Sequence, residues 1–273
     1  MKQISHSEIS TYLDCQKKWK LIYKDKIKIS SPHLLFGDMG HKVLYSRTIP
    51  DEILYPELKE HFSISNWKKY FSTILNEIDE AFEDYEILYR EEPVEDEFLK
   101  GIIDVVLKHK STGRYLLVDY KFSTGIKKFE ELFVDEQLYI YAYLFSNKYN
   151  IPIEDIDIGY MNISKQDIDN PRVLNNGKLS KDKNQNTTYD LYLEKIKELN
   201  LDVNDYLDIL SILKTKKQTS LFKNSINKRV MIHILTNIDN VIKDMQKDYI
   251  LEKCSYMCTR CEFYERCKRR GEE

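Results

Sequence analysis

The chain has 273 residues, of which 32% are charged, with a formal net charge of −3 and five cysteines. That length can bury a full core, and a near-neutral balance excludes a general polycation, so any nucleic-acid binding needs a local patch. No apolar run approaches a bilayer span, and the opening MKQISHSEISTYLDC lacks the apolar core of a signal peptide, which predicts a cytoplasmic protein without a membrane partner.

Residues 5–29 open with a predicted helix: Ser7 as its cap, Ile9, Tyr12, Leu13 and Trp19 at helical spacing, and Cys15 inside it. Gly37-Asp38-Met39-Gly40-His41 reads as a close backbone turn with His41 near the start of a following helix. Residues 66–85 carry a stripe of Trp67, Tyr70, Phe71, Ile74, Leu75, Ile78 and Phe82, the pattern of an amphipathic helix packing on a core. Ile87 to Arg90 reads as a strand, and Glu91 to Glu97 as a solvated acidic loop.

The stretch Gly101–Lys121, GIIDVVLKHKSTGRYLLVDYK, predicts two strands around a turn-rich link at 109–113. Both apolar runs say buried strand, yet each carries an aspartate, Asp104 and Asp119, and Lys121 follows two residues on. Unpaired charges in a sheet core are costly. A divalent cation would solvate the carboxylates, and a lysine beside them suits a phosphate, which points to a metal-dependent phosphodiesterase.

After a polar link (Ser123, Thr124, Gly125), a helix is predicted from about Glu136 to Tyr149, with Gln137 and Tyr141 on one face. Residues 154–163 alternate as another strand. The order helix, strand, hairpin, helix, strand predicts an α/β core. Residues 164–190 read as a long exposed loop, locally basic through Arg172, Lys178, Lys181 and Lys183, either a solvated linker or a nucleic-acid contact. Helices are expected near 190–199, 203–213 and 226–248. The end, CSYMCTRCEFYERCKRRGEE, places Cys258, Cys261 and Cys267 within reach of one centre, with Cys254 nearby. Zinc and an iron–sulfur cluster both accept such thiolates, and spacing does not separate them.

Taken together these residues resemble the PD-(D/E)XK nuclease superfamily, in its RecB-like branch carrying an iron–sulfur cluster, which includes the CRISPR-associated exonucleases and the AddB nuclease domain. The resemblance rests on GDMGH with His41, on the G-x-x-D strand Gly101 to Asp104, on Asp119-Tyr120-Lys121 as D-x-K, on Gln137-x-x-x-Tyr141, and on Cys15 with the late C-x2-C-x5-C of Cys258, Cys261 and Cys267. Cys254 falls outside that pattern. The stretch beyond residue 164 is longer than a minimal member needs and resembles inserts of stand-alone phage-type RecB-like nucleases.

The resemblance implies one restriction-endonuclease-like domain over residues 1–273, with a mixed sheet flanked by helices. Its core spans about 30–163, an insertion about 164–225, and a C-terminal helix and cysteine cluster 226–273 join back to Cys15. It implies Mg2+ or Mn2+ held by Asp104, Asp119, His41 and the backbone carbonyl of Tyr120. Lys121 would orient water and stabilise charge, Gln137 and Tyr141 would brace the site or hold DNA, and Glu97 is a further acid before the hairpin. A [4Fe-4S] cluster on the four cysteines would close the domain, with zinc as the alternative. The activity implied is exonucleolytic hydrolysis of single-stranded or frayed DNA ends, with recombination, phage DNA metabolism or CRISPR-adaptation proteins as partners. Two other readings stay open: a catalytically silent nucleic-acid-binding module of the same fold, and a zinc-binding adaptor.

Overall fold

A computed structural model of the chain describes residues 3–50, 55–62, 64, 66–123, 129–247, 258 and 261–269. Thr124 and Gly125 of the polar link and Cys254 lie outside the described residues. The chain begins with β1 (Ile4–Ser5), α1 (His6–Asp14), α2 (Gln16–Trp19) and a π turn at Lys20–Lys24. The helices α3 (Pro32–Ser46), α4 (Leu58–His61) and α5 (Trp67–Ala81) follow, then the strands β2 (Tyr85–Glu95), β3 (Leu99–His109) and β4 (Tyr115–Ser123). A 3-10 turn at Phe129–Val134 leads into α6 (Glu136–Tyr149) and β5 (Ile156–Ser164). The remainder is α7 (Tyr189–Glu198), α8 (Leu207–Thr215), β6 (Thr219–Ser225), α9 (Lys228–Met245) and α10 (Tyr264–Arg269).

One mixed sheet organises these elements, in the order β1-β3-β4-β5-β6, with β2 also paired to β3. β3 and β4 form the antiparallel hairpin read from the sequence, and β4 runs parallel to β5, with α6 as the crossover. One face of the sheet packs Ile103, Leu117, Ile158 and Tyr160 under α1, α6 and α9. The other packs Val105, Val118, Tyr120 and Met161 under α3 and α5. Strands buried on both faces read as near-continuous apolar runs, which is why the hairpin was legible. A third, smaller cluster of Leu179, Tyr192, Ile196, Tyr206 and Leu210 belongs to α7, α8 and the loop before them. Among the described residues no helix is long and apolar enough to cross a membrane.

Local chemistry corrects several expectations. The cap of α1 is Ser5, whose Oγ accepts from the Glu8 N–H at 3.3 Å; Ser7 lies within the helix. Gly37 and Gly40 do not turn the chain. Both lie within α3, which starts at Ser31 and Pro32, so His41 sits in its third turn. The acidic run is largely not a loop, because residues 91–95 continue β2 and residues 92–95 pair with β3. β6 has little strand signal of its own, since Lys223 and Asn224 are depleted in strands and Ser220 and Ser225 are polar; it nevertheless pairs antiparallel with β5 from residue 219 to 225. The end of the expected insertion is thus a strand of the central sheet. The 164–190 loop is only partly exposed: Ile168, Leu179, Ser180 and Thr187 are buried, and Val173 bridges Leu179.

Candidate active site

The hairpin opens where its carboxylates begin. Paired positions of β3 and β4 run from Lys108↔Tyr115 to Val105↔Val118 and then stop. Beyond them Asp104 Oδ2 accepts the backbone N–H of Tyr120 at 2.7 Å, so a side chain replaces the ladder carbonyl. Asp119, 5% exposed, and Lys121 share the face of β4 toward α6, since side chains on one face recur every second residue. Lys121 Nζ lies 2.6 Å from Asp119 Oδ2.

The second element of the site is α6. Asp135 caps it, accepting from the Leu138 N–H at 2.8 Å, and also accepts from the Tyr160 hydroxyl of β5. That anchor hangs Gln137 over β4. Its Nε2 donates to Asp119 Oδ1 at 3.0 Å and to the Tyr141 hydroxyl at 3.1 Å, while its Oε1 accepts from Lys121 Nζ at 3.2 Å. The Tyr141 ring lies across β3 at Gly101, where an added Cβ would stand 2.2 Å from Cε1. The glycine and the tyrosine of the two sequence motifs are therefore one contact.

His41 arrives from the opposite face. At Gly40 a Cβ would fall 2.3 Å from the Phe122 ring, so the absent side chain lets α3 settle on β4. His41 Nδ1 then stands 3.5 Å from Asp104 Oδ1 and 4.0 Å from Glu91 Oε1. These three residues offer ligand atoms all within 4.8 Å of one another. The acidic pattern of residues 91–97 predicts a solvated loop for Glu91. In β2 it falls between Arg90↔Val105 and Glu92↔Ile103, opposite Asp104, with a left-handed φ of 52°. A strand register would have revealed it, but that register shifts between Ile87 and Tyr89 and is not readable from composition.

The electrostatics suit a cation. Burial, then the charge of Asp119, raise the Asp104 carboxyl well above the ordinary range, against the Tyr120 N–H. Burial also raises Glu91. Burial and the Lys121 ammonium lower His41, which keeps its imidazole neutral. For Lys121, burial works against the charge, but Asp119 more than offsets it, and the net shift is upward. Burial pushes Tyr141 up to about 12. Two raised carboxyls beside a neutral imidazole form a hard oxygen and nitrogen donor set that fits Mg2+ or Mn2+. Of the four expected ligands, His41 and Asp104 converge. Asp119 faces Lys121 and Gln137, and Tyr120 meets Asp104 through its N–H.

Away from this centre, Cys15 caps α2, its Sγ accepting from the Lys18 N–H at 3.5 Å. The Lys18 ammonium reaches Glu262 at 3.1 Å and so joins the first helices to the last cysteine segment. There the Cys261 N–H donates to Cys258 O at 3.0 Å, the Cys267 N–H to Phe263 O at 2.9 Å, and Phe263 is buried. Cys15, Cys258, Cys261 and Cys267 are half-buried, and none is in a disulfide. Arg172 and Lys178 are exposed in the loop after β5, and Lys181 lies over the Tyr206 ring, 5.2 Å from its centroid. The backbones of Arg172 and Lys178 bond within the loop itself, to Gln185 and Ser180 and to Asn176 and Leu174.

A family model for the PD-(D/E)XK nuclease superfamily matches residues 3–268. A crystal structure from Eubacterium rectale, described as a "Putative exonuclease", aligns with 95% of this chain and 93% of its own at 12% identity and a TM-score of 0.39. No curated protein matches the sequence.

Proposed function

The chain belongs to the PD-(D/E)XK nuclease superfamily, a family of metal-dependent nucleases, and from that premise we propose that it is a cytoplasmic DNA exonuclease acting on single-stranded or frayed ends. The observation that carries the reading is the meeting, where β3 and β4 part, of the His41–Glu91–Asp104 donor group with the Asp119–Lys121–Gln137 ring. His41, Glu91 and Asp104 would hold Mg2+ or Mn2+, with Asp119 and the Tyr120 carbonyl as further oxygens. A bound ion polarises a phosphate and lowers the pKa of water.

The chain's own groups do the rest. Lys121, kept as an ammonium, is a charge donor rather than a base; it orients water and offsets charge as the phosphoryl centre becomes pentacoordinate. Asp119 and Gln137 hold Lys121 from two sides and fix its direction. The Tyr141 hydroxyl accepts from Gln137 and keeps its own proton, which leaves it a donor to a non-bridging phosphate oxygen. Arg172, Lys178 and Lys181 would meet a more distant part of the strand. The four cysteines would carry a [4Fe-4S] cluster that fastens the first helices to the C-terminal segment, beside the Lys18–Glu262 bridge.

The test is Mn2+-dependent cleavage of end-labelled single-stranded DNA, with Asp119→Ala in parallel. Wild-type cleavage lost in the variant supports the reading; DNA binding without cleavage by the wild type overturns it. For the cluster, anaerobically purified wild type should absorb near ~400 nm and contain iron. Cys258→Ala should be colourless and poorly folded, and a stable, fully active variant would remove the structural role.

A further inference from the structure

We propose that a cavity beside Lys121 seats the unpaired nucleotide next to the scissile phosphate, a substrate subsite that rests on the nuclease reading above. The cavity measures about 420 Å³ and is lined by Ser123, Asn162, Asn186, Lys216, Gln218 and Ser220 among others. Strand register fixes its place. Ser123 lies two residues beyond Lys121 on the same face of β4, about 6.6 Å along the strand. Asn162 is the β5 partner of Lys121, and Ser220 is the β6 partner of Asn162. Register therefore puts the cavity next to the Lys121 position, across Asn162 and Ser123, on the β5 side of β4 away from β3 and Asp104.

Its lining sets side-chain amides, hydroxyls and lysines beside apolar surface, the mixture that a base and a phosphate present. Side-chain amides carry a donor and an acceptor on one planar group, the pairing that base edges present. The amides are also held in place. Gln218 Nε2 donates to Asn186 Oδ1 at 3.2 Å, and Asn186 Nδ2 donates to the Asp167 carbonyl. The Glu77 carboxylate fixes the floor by accepting the backbone N–H groups of Gln218 at 3.1 Å and Thr219 at 2.8 Å. Lys216 Nζ gives one hydrogen bond to the Gln185 carbonyl at 2.5 Å and brings positive charge to the rim. A preorganised polar wall loses little entropy on binding.

Size selects the occupant. The volume lies low in the ~300–1,000 Å³ range of small-molecule sites, room for one nucleotide and not for a base pair in its duplex. Aromatic surface stands beside it: Phe222 is two residues from Ser220 on the same face of β6, and the exposed Phe129 packs 6.2 Å from it. Such rings stack bases irrespective of sequence. A duplex would have to give up its pairing to enter, so the cavity supplies a physical basis for single-strand preference.

The test uses the full chain with Asn186→Ala, which removes amide contacts, and Ser220→Phe, which fills the space. Binding of a short fluorescein-labelled oligothymidylate is followed by anisotropy, a readout that needs no cleavage. An abasic deoxyribose-phosphate oligomer and Mn2+-dependent hydrolysis of bis(p-nitrophenyl) phosphate serve as controls. Each variant should weaken oligothymidylate binding about tenfold, the size of one lost amide–base contact. Abasic binding and small-diester hydrolysis should match wild type. Unchanged oligothymidylate affinity, equal loss on the abasic oligomer, or loss of small-diester hydrolysis would each overturn the subsite. A wild type that binds with this pattern but hydrolyses nothing would instead sink the nuclease reading and leave the cavity's preference standing.

Discussion

Replacing Gly101 by alanine tests whether two distant motifs act as one part. The new Cβ would start 2.2 Å from Tyr141 Cε1, whereas carbons rest about 3.5 Å or more apart, so the ring must retreat by roughly 1.3 Å. That shift pulls the hydroxyl from Gln137 Nε2, now 3.1 Å away, and loosens the group that holds Asp119 and Lys121. Overpacking costs about 1–3 kcal/mol and the lost hydrogen bond about 0.5–1.5 kcal/mol, offset by about 0.4–1 kcal/mol from the stiffer unfolded chain. A net loss of about 2 kcal/mol lowers Tm by about 4–8 °C at this size. Thermal unfolding and Mn2+-dependent cleavage would be measured for Gly101→Ala, Tyr141→Ala and the double variant. With the ring gone, alanine at 101 should be neutral or slightly stabilising. If Gly101→Ala costs as much in the Tyr141→Ala background as in the wild type, the contact is not the reason for the glycine.

Mn2+ should raise Tm by an amount that grows with pH. Asp104 and Glu91 have raised folded-state pKa values, so the metal-free protein loses stability as pH climbs from the unfolded carboxyl range through those values, and a cation offsets that loss. Thermal scans with Mn2+ and with EDTA at several pH values decide it, and a pH-independent increment would exclude these carboxyls as ligands. Glu91→Gly should stabilise the metal-free protein by about 1 kcal/mol through relief of a left-handed backbone, and weaken Mn2+ binding by titration calorimetry. Lys121→Ala should cut kcat about 10²–10³-fold while oligothymidylate binding changes little; parallel loss of both would make the lysine a binding group.

What could be read from the chain, and what could not, follows from how local each signal is. The β3–β4 hairpin, the stripe of α5 and the bounds of α6 rest on periodicity within one segment, and all appear where periodicity puts them. The aspartates, lysine, glutamine and tyrosine were visible as residues out of place in apolar or helical patterns. Glu91 was not, because its value lies in being opposite Asp104, a property of register. β6 was hidden by its polar residues; its strand state comes from the edge of β5, not from its own composition. The glycines of GDMGH suggested a bend, yet Gly40 serves the approach of Phe122 from 82 positions later in the chain. Close packing between remote segments leaves no local trace.

The placement of the site across both layers has a consequence for how activity is acquired. The carboxylates come from the sheet, His41 from the α3–α5 layer and the Gln137–Tyr141 pair from the α6–α9 layer. A chain with one layer docked has a sheet and half a centre. On the nuclease reading, cutting needs both layers docked, so it is expected to come late in folding and a half-docked chain is expected not to cut. In refolding, the return of cleavage should trail the return of helical signal and coincide with the slower of the two docking events.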